Sequence, residues 1–587
     1  MFPSSPHRYK PEELEWLRSR YRRERDRRIR DEGNAQYRRA SGEIATDPYT
    51  ERTERSPLTD RVEALVIGGG FGGLLAGARL RQAGVRDLRM IDEAGDFGGT
   101  WYWNRYPGVQ CDIESTVYMP LLEEVGYVPK WRYAPGDEIR GHAVAIAKQF
   151  ELYADALFHT KVTELRWDDD TAEWTVTTDR GDVFRTRYVV ISSGTLTQPK
   201  LPGIPGVDEF GGHIMHTSRW DESYDLTGKR VAVVGTGASG IQVIPQIAER
   251  ASQLYVFQRT PSSVDVRDNR PTDPAWAAEL KPGWQRERME NFLTLVTGGH
   301  VGEDLINDGW TATAALQRQM LTGTVDPTIS DEDRAFLDER ADFRKMDEIR
   351  ARVASVVEDP ETAEKLKPWY RYMCKRPTFS DNYLPTFNRP NVTLIDTADS
   401  GGITAMTPSA VVAGEQEYEV DCVVLATGFE TGISGVLSGT LPVYGRGGLP
   451  LLGHWRNGPR TLHGFASHGF PNLFHMGSLQ NAAAVNFTHV LQEQATHIGE
   501  LVAEASRRGA HRVEPTAEAE EAWVATIRET APNNFDFQSE CTPGYYNGEG
   551  KPRPVNNSFG PGPVVFHDLL RTWRASGGMD EVMHPQG

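Results

Sequence analysis

Two glycine fingerprints constrain the fold of this chain more than any other feature of its sequence. The first, Gly68-Gly69-Gly70-Phe71-Gly72-Gly73, follows the apolar run 64–67 and opens the run 74–80. The pattern predicts a buried parallel strand, a tight turn and a helix. In such a unit the glycines let the backbone approach a pyrophosphate, and the helix N-terminus faces its charge. Gly68, Gly70, Phe71 and Gly73 are therefore predicted to contact a dinucleotide.

The end of the next predicted strand, 88–91, supports this interpretation. It is followed by Asp92, about 20 residues past the last glycine, where a ribose hydroxyl needs an acceptor. A mere tight turn is the alternative, but the strand, helix and acid stand in the order that a dinucleotide unit requires.

The second fingerprint, Gly235-Thr236-Gly237-Ala238-Ser239-Gly240, follows the predicted strand 230–234. Its predicted contact residues are Gly235, Gly237, Ser239 and Gly240. The next strand, 254–257, ends at Gln258-Arg259-Thr260 instead of an acid. An arginine beside a hydroxyl suits the 2′-phosphate of NADP(H), so Arg259 and Thr260 are predicted to bind it; a surface arginine is the alternative. Two dinucleotides in one chain are most simply explained by electron transfer between them.

Composition excludes several other classes of protein. The chain has 587 residues, which indicates two or three domains, and its net charge of -18 argues against nucleic-acid binding. No apolar stretch is long enough for a membrane span, and the N-terminus lacks the apolar core of a signal peptide. Four cysteines give neither a disulfide framework nor a metal-ligand spacing, so we expect no metal and a reducing cytoplasm.

The N-terminal arm differs in composition from the rest of the chain. The dense charge of residues 12–30 predicts a polar helix, and the composition of residues 40–57 predicts a linker. A basic helix can bind RNA or anionic lipid. Here acids are interleaved with the arginines, which favours a helix that lies across the protein's own acidic body.

The run between the fingerprints narrows the chemistry. Phe210-x-Gly212-x-x-x-His216-x-x-x-Trp220-Asp221 resembles the signature of type I Baeyer–Villiger monooxygenases, and the resemblance extends from about Val62 to about Pro554. A related flavin N-hydroxylase shares the two fingerprints but is not expected to carry this segment in this form. In the family, the histidine serves in positioning and conformational coupling, so we expect no proton transfer by His216.

Other segments resemble the family's flavin side and its catalytic pair. The segment 98–115 resembles the flavin-side segment, which implies FAD contacts for Thr100, Trp101 and Asp112, with Tyr118 at the flavin edge. Core packing is the alternative for the two aromatic residues. The resemblance also implies that Asp112 orients a catalytic arginine; a loop-capping aspartate is the alternative.

Lys375 and Arg376 resemble the family's catalytic basic pair. The resemblance implies that Lys375 meets the NADP 2′-phosphate and that Arg376 stabilises a flavin C4a-peroxide and the ketone carbonyl. A fixed positive charge suits this task, because a peroxyanion in a dry site needs one beside it. An interdomain salt bridge is the alternative for Arg376.

The segment 541–550 departs from the better-known small-ketone members, which place a tryptophan near Tyr545. Tyr545 is predicted to donate a hydrogen bond to the nicotinamide cofactor instead. Together with the long arm, this segment resembles the bulky- and polycyclic-ketone branch, which includes the pentalenolactone-pathway monooxygenases.

The predicted fold class is α/β, with two Rossmann-like dinucleotide-binding domains, a helical insert and an N-terminal helical extension. We expect the extension and linker at 1–58 and the first part of the FAD domain at 59–198. The NADP domain is expected at 199–390, with its insert at about 271–367. The second part of the FAD domain is expected at 391–587, entered through Ala426-Thr427-Gly428.

The expected function is an FAD- and NADPH-dependent monooxygenase. It would insert one atom of O2 beside the carbonyl of a cyclic or polycyclic, terpenoid ketone to give a lactone, in antibiotic biosynthesis of the pentalenolactone type. An N- or S-oxygenating enzyme is one alternative, in which Arg376 would be dispensable. A flavin-bound redox sensor or scaffold, whose partner reads the N-terminal arm, is the alternative outside catalysis.

Overall fold

The larger of two main sheets carries the first fingerprint. The computed structural model describes residues 9–40, 42–314, 331–430, 440–532, 534–552 and 558–585, so that Pro554 lies outside these ranges. The order across the eight-stranded sheet is Val443–Tyr444, Val162–Asp168, Glu173–Thr178, Val183–Ile191, Thr59–Ile67, Leu88–Ile91 and Ala156–Leu157, with Leu473–His475 also paired to Val183–Ile191. Thr59–Ile67 pairs in parallel with both of its neighbours, as a Rossmann-like unit requires.

The second sheet has five parallel strands, in the order Val392–Asp396, Gln253–Gln258, Arg230–Val234, Cys422–Leu425 and His213–His216. The predicted α/β class with two Rossmann-like domains is thereby confirmed. The expected boundary at 390/391 is wrong, because two strands beyond it complete the sheet of the second unit. Ala426-Thr427-Gly428 leaves this sheet, and the chain returns to the first domain only after it.

A small sheet connects the arm to both crossings between the domains. Its strands are Tyr37–Arg39, Gln198–Pro202 and Phe429–Glu430, and both pairings are antiparallel. The smaller sheets elsewhere are formed by Ala405–Met406, Ala410–Ala413 and Gln416–Glu419, by Val264–Asp265 and Thr378–Phe379, and by Arg512–Val513 and Met583–His584.

Helices cover both sheets. Those around the first sheet are Phe71–Gln82, Thr100–Trp103, Ser115–Tyr118, Leu122–Val125, Gly136–Gln149, Leu451–His454, Phe487–Arg508, Ala517–Thr530 and Pro563–Ala575. The short helix Phe535–Glu540 packs on the insert through Phe537. Those of the second domain and its insert are Ala238–Ala248, Pro274–Ala278, Trp284–Val296, Asp331–Val356, Pro360–Leu366 and Tyr383–Thr386. In the described part of the chain, no helix is both long and apolar enough to cross a membrane.

The N-terminal helix Pro11–Asp26 packs on the insert. Its Leu14, Leu17 and Tyr21 are buried with Phe343 of the insert helix Asp331–Val356. Burying apolar side chains of this size stabilises the contact by roughly 1.5–3 kcal/mol each. Arg18 adds a bidentate pair with Glu339, at 2.5 and 3.1 Å.

A disulfide joins Cys374 to Cys541. The expectation that the four cysteines form no disulfide is therefore wrong. Spacing could not reveal the pair, because its members are 167 positions apart and only tertiary packing brings them together. The bond ties the residue before the Lys375-Arg376 pair to the start of the segment that carries Tyr545.

Candidate active site between the two dinucleotide units

The first fingerprint forms a tight glycine cradle. Gly68 has φ +113°, and a Cβ there would lie 2.2 Å from the carbonyl oxygen of Ser192. A Cβ at Gly73 would lie 1.8 Å from the carbonyl oxygen of Gly68. Gly70 begins the helix Phe71–Gln82, and no side chain caps it. The free N–H groups of this first turn suit a pyrophosphate.

Asp92 lies beside this cradle. Its carboxylate accepts hydrogen bonds from the backbone N–H groups of Gly69 and of Ala94, the latter at 2.6 Å. Burial raises the pKa of Asp92 to about 6, although both N–H groups oppose the shift. A carboxylate has about four lone-pair sites. Asp92 thus retains capacity for a ribose hydroxyl, and that role stays a prediction.

The aromatic pair of the flavin-side segment is joined by a hydrogen bond. The Nε1–H of Trp101 donates to the Tyr118 hydroxyl at 3.0 Å, and Phe71 packs edge-on against Tyr118. Thr100 is exposed at the start of the helix Thr100–Trp103. Because Phe71 belongs to the first fingerprint, this contact places the aromatic pair beside the first glycine cradle.

The second fingerprint repeats the geometry of the first. Gly235 has φ +104°, and a Cβ there would lie 2.6 Å from the carbonyl oxygen of Ala426. A Cβ at Gly240 would lie 2.4 Å from the carbonyl oxygen of Gly235. Gly237 begins the helix Ala238–Ala248 without a side-chain cap, and Ser239 is half-buried in its first turn.

Arg376 and Asp112 form a bidentate ion pair. Nη2 and Nε of Arg376 donate to the two carboxylate oxygens of Asp112 at 2.7 and 3.1 Å. Burial alone would lower the pKa of Arg376, but Asp112 outweighs it and the pKa is raised. Asp112 comes from the flavin-side segment and Arg376 from the other domain. The predicted pair is therefore brought together, and its guanidinium carries a permanent charge.

Two residues that sequence reasoning missed hold the backbone at Asp112. The Nε1–H of Trp310 donates to the carbonyl oxygen of Asp112 at 3.0 Å, and its ring lies 5.2 Å from the guanidinium of Arg376. The buried guanidinium of Arg267 donates to the carbonyl oxygen of Cys111. Neither residue belongs to a recognisable motif, so no sequence signal identified them.

The predicted 2′-phosphate residues Arg259 and Lys375 form a cationic cluster with Lys200, and the carboxylate of Glu549 interacts with all three. Arg259 lies near Lys375, and the charge of Lys200 acts on both Lys375 and Glu549. Burial lowers the pKa of Lys375 to about 8, and the charge of Arg259 acts in the same direction. Among the described residues, the Lys375 ammonium has no hydrogen-bond partner. The hydroxyl of the buried Thr260 likewise has no hydrogen-bond partner in the described part of the chain.

Tyr545 lies on the loop that starts at the disulfide. Its side chain is 41% exposed and packs on Tyr546, with ring centroids 4.2 Å apart. Both rings lie close enough to Arg376 to contribute to the raised pKa of its guanidinium. The predicted hydrogen bond to a nicotinamide cofactor stays a prediction.

The signature run lies at the junction of the domains. The strand His213–His216 is the edge of the second sheet, and His216 is fully buried there. Burial lowers the pKa of His216 to about 3, and Arg219 adds to the effect. A histidine that stays neutral at physiological pH fits positioning, not proton transfer. Trp220 is buried in the core of the second domain.

One further group of potential ligands was not expected from the sequence. His489, Glu493 and His567 place their ligand atoms within 4.8 Å of one another, on the helices Phe487–Arg508 and Pro563–Ala575. The charge of Arg571 acts on all three. A guanidinium beside the group works against a bound cation.

Comparison with known proteins identifies the family. A family model described as pyridine nucleotide-disulphide oxidoreductase matches residues 65–295. A Baeyer–Villiger monooxygenase of Streptomyces coelicolor is 56% identical over 98% of this chain and 98% of its own length. Pentalenolactone D synthase of Streptomyces arenae is 50% identical over 96% of this chain and 98% of that protein.

A solved structure agrees with these relatives. The polycyclic ketone monooxygenase from the thermophilic fungus Thermothelomyces thermophila matches with a TM-score of 0.89 and 40% sequence identity, over 97% of this chain and 98% of that one. The chain belongs to the Baeyer–Villiger monooxygenases. The family resemblance inferred from the signature run is thus confirmed, and the chain is an NADPH-dependent flavoprotein monooxygenase.

Proposed function

We propose that this enzyme converts a fused-ring, terpenoid ketone to a lactone, with Arg376 as the group that stabilises the reacting oxygens. The observation that carries the proposal is the bidentate pair of Arg376 with Asp112, formed between the two dinucleotide units. Insertion of one oxygen atom beside a ketone carbonyl is the reaction of the family to which the chain belongs.

The residues present fit the two cofactors, FAD and NADPH. The cradle at Gly68, Gly70 and Gly73 leaves room for backbone approach, and its helix lacks a cap that a pyrophosphate would have to displace. The Thr260 hydroxyl and the Lys375 ammonium, neither of which has a hydrogen-bond partner among the residues that the structure describes, offer donors to a 2′-phosphate. When bound, NADPH supplies the hydride and reduced FAD activates dioxygen.

Arg376 is suited to hold negative charge and a carbonyl oxygen together. Its planar guanidinium has five donors, of which Asp112 takes two. The free donors can face the ketone carbonyl and the negative charge that develops during oxygen insertion. Asp112 fixes the side chain and offsets its charge between turnovers. Trp310 and Arg267 in turn hold the backbone that carries Asp112.

The bulky-substrate assignment is supported by the relatives. A 50% identical relative is a pentalenolactone D synthase, and a 40% identical structure is a polycyclic ketone monooxygenase. We therefore favour a tricyclic sesquiterpenoid keto acid as substrate, in antibiotic biosynthesis of the pentalenolactone type. We also place the reaction in the cytoplasm, where NADPH is supplied. The Cys374–Cys541 bond can persist there, because both cysteines are 1% exposed and a reducing thiol cannot reach them.

Steady-state kinetics on two ketones test the proposal. In a wide pocket, each methylene that cyclohexanone leaves unburied forfeits roughly 0.8 kcal/mol of binding. A loosely held ring also loses the alignment that bond migration requires. We expect kcat/KM for a fused-ring terpenoid ketone to exceed that for cyclohexanone by about tenfold or more, with a lactone detected by mass spectrometry. Faster, well-coupled oxidation of cyclohexanone would contradict the bulky-substrate assignment and leave the reaction class intact.

A further inference from the structure

Arg259 is held by residues from opposite ends of the chain. Its Nη1 donates to the side-chain oxygen of Gln36 at 3.0 Å, and its Nη2 donates to the Glu549 carboxylate at 2.8 Å. Its own carbonyl oxygen accepts a hydrogen bond from Nε of Arg28 at 2.8 Å. Gln36 and Arg28 belong to the N-terminal arm, and Glu549 belongs to the loop that carries Tyr545. None of the three is part of the dinucleotide unit that carries Arg259.

Glu549 lies on the buried side of the cationic cluster and not on its solvent-facing side. Its side chain is 4% exposed, whereas that of Arg259 is 22% exposed. The Lys200 side chain is 8% exposed, and its ammonium lies 3.5 Å from the same carboxylate. A carboxylate that filled an empty phosphate pocket would face solvent. The exposure therefore leaves the outer side of Arg259 open to a ligand while Glu549 contacts its inner side.

The cationic cluster and Glu549 together carry a net positive charge that a doubly charged phosphate would neutralise. Lys200, Arg259 and Lys375 carry three positive charges, and Glu549 carries one negative charge. Arg28 also acts on Lys375, but its own ion pair with Glu24, at 2.5 Å, cancels its charge in this sum. Burial favours the neutral form of Glu549, but Arg259 and Lys200 outweigh it and its pKa is lowered. A phosphate monoester contributes about 1.5 to 2 negative charges at neutral pH, which brings the sum close to zero. Without Glu549 the three cations would repel one another, and burial would favour loss of the Lys375 proton.

We propose that Glu549 is a positioning residue for coenzyme selection, which together with Gln36 holds the Arg259 guanidinium toward the 2′-phosphate of NADPH. The N-terminal arm and the C-terminal loop thereby form one wall of the coenzyme site. Support of this kind matters because a residue that contacts a ligand is only as selective as the groups that fix its orientation. The inference rests on the proposed assignment of the 2′-phosphate to Arg259.

The test is the coenzyme dependence of Glu549→Gln in the full-length flavoprotein. The substitution keeps the shape of the side chain and removes its charge. We expect KM for NADPH to rise by about tenfold, KM for NADH to change less than about twofold, and kcat at saturating NADPH to stay unchanged. Gln36→Ala should shift the same ratio by a smaller factor. Glu540→Gln is the matched control and should change neither KM, because Glu540 is an exposed carboxylate at the end of the helix Phe535–Glu540, just before the loop that carries Glu549.

The double variant Glu549→Gln/Arg259→Ala separates positioning from other effects. If Glu549 acts through Arg259, the double variant has the same NADPH/NADH preference as Arg259→Ala alone. Additive effects would overturn the inference. So would equal changes in both KM values, which a merely structural role produces, or a lower KM for NADPH, which would make Glu549 a competitor of the phosphate. If Arg259→Ala itself leaves the preference unchanged, the proposed phosphate assignment fails instead. Flavin content and Tm establish that each variant is folded.

Discussion

The two dinucleotide units share a backbone and differ in charge. In each, a glycine with positive φ, Gly68 or Gly235, lies against the carbonyl oxygen of a returning strand. In each, a helix begins at a glycine without a side-chain cap. The difference stands at the end of the second strand, where one unit has Asp92 and the other has Arg259. The shared backbone suits the pyrophosphate that both dinucleotides contain. The differing residue is expected to select between a free ribose hydroxyl, which suits Asp92, and a ribose 2′-phosphate, which suits Arg259.

The two selecting residues also differ in what holds them. Asp92 accepts from Gly69 and Ala94, which are its neighbours in the same unit. Arg259 depends on Gln36 and Glu549, which lie 223 and 290 positions away. In the first unit, the residue that selects the nucleotide is therefore held by its own neighbours in the sequence. In the second unit, the selecting residue is held by the N-terminal arm and the C-terminal loop.

The largest expected effect concerns the residue that belongs to neither fingerprint. Arg376→Ala should lower ketone turnover by about 10²- to 10³-fold or more, because it removes the charge that stabilises the reacting oxygens. NADPH should still reduce the flavin, so that both units remain loaded but uncoupled from lactone formation. Lactone yield and NADPH oxidation, measured together, check this.

Arg376→Lys keeps the charge without the bidentate geometry and should recover only part of the activity. Survival of ketone turnover in Arg376→Ala would contradict the mechanism.

A matched pair of alanine substitutions tests whether each cradle serves its own nucleotide. Gly70 and Gly237 both have φ -77°, which alanine adopts without strain. Their Cβ atoms would lie at least 3.4 Å from other protein atoms, so any loss arises on the ligand side. The Gly70→Ala protein should contain little flavin after purification, because the added methyl group occupies the side of the first cradle that faces the cofactor. Gly237→Ala should stay yellow and show a KM for NADPH raised about tenfold or more.

The ratio of flavin to protein absorbance and the KM values check this pair. In both cases the flavin should be released on denaturation in acid, because no covalent link is expected. Loss of flavin in Gly237→Ala would show that the two cradles are not independent.

Arg259→Ala tests the charge difference between the units. We expect KM for NADPH to rise by about 10- to 100-fold more than KM for NADH, as loss of a charge-assisted contact implies. Kinetics with both coenzymes at one ionic strength provide the measurement. An unchanged preference would mean that the 2′-phosphate lies elsewhere.

The smallest expected effect is a pH dependence confined to the second unit. Burial lowers the pKa of Lys375 to about 8, so its ammonium is present below that pH and lost above it. Affinity for NADPH should therefore fall by up to about tenfold between pH 7 and 9, whereas affinity for NADH should not. KM values across this range check the prediction, and Lys375→Met should remove the difference. A parallel change for both coenzymes would exclude Lys375 as its source.

Much of the fold and of the site could be predicted from short segments. The glycines, the apolar strand before each fingerprint and the residue that ends the next strand all lie within one βαβ unit, so their spacing predicts their contacts. The pairing of Arg376 with Asp112 followed from the family resemblance. The boundary at 390/391 failed, because parallel strand order does not follow chain order and Cys422–Leu425 pairs beside Arg230–Val234.

The sequence by itself determined that this protein has two dinucleotide units of opposite selecting charge and a family signature between them. Local periodicity and glycine conformation suffice for that, since each acts over a few residues. Only the tertiary structure decided that Glu549 and Gln36 hold Arg259, that Trp310 and Arg267 support Asp112, and that Cys374 is bonded to Cys541. These contacts join segments that are distant along the chain. They exist because packing of the domains, and not spacing in the sequence, places buried charges beside their partners.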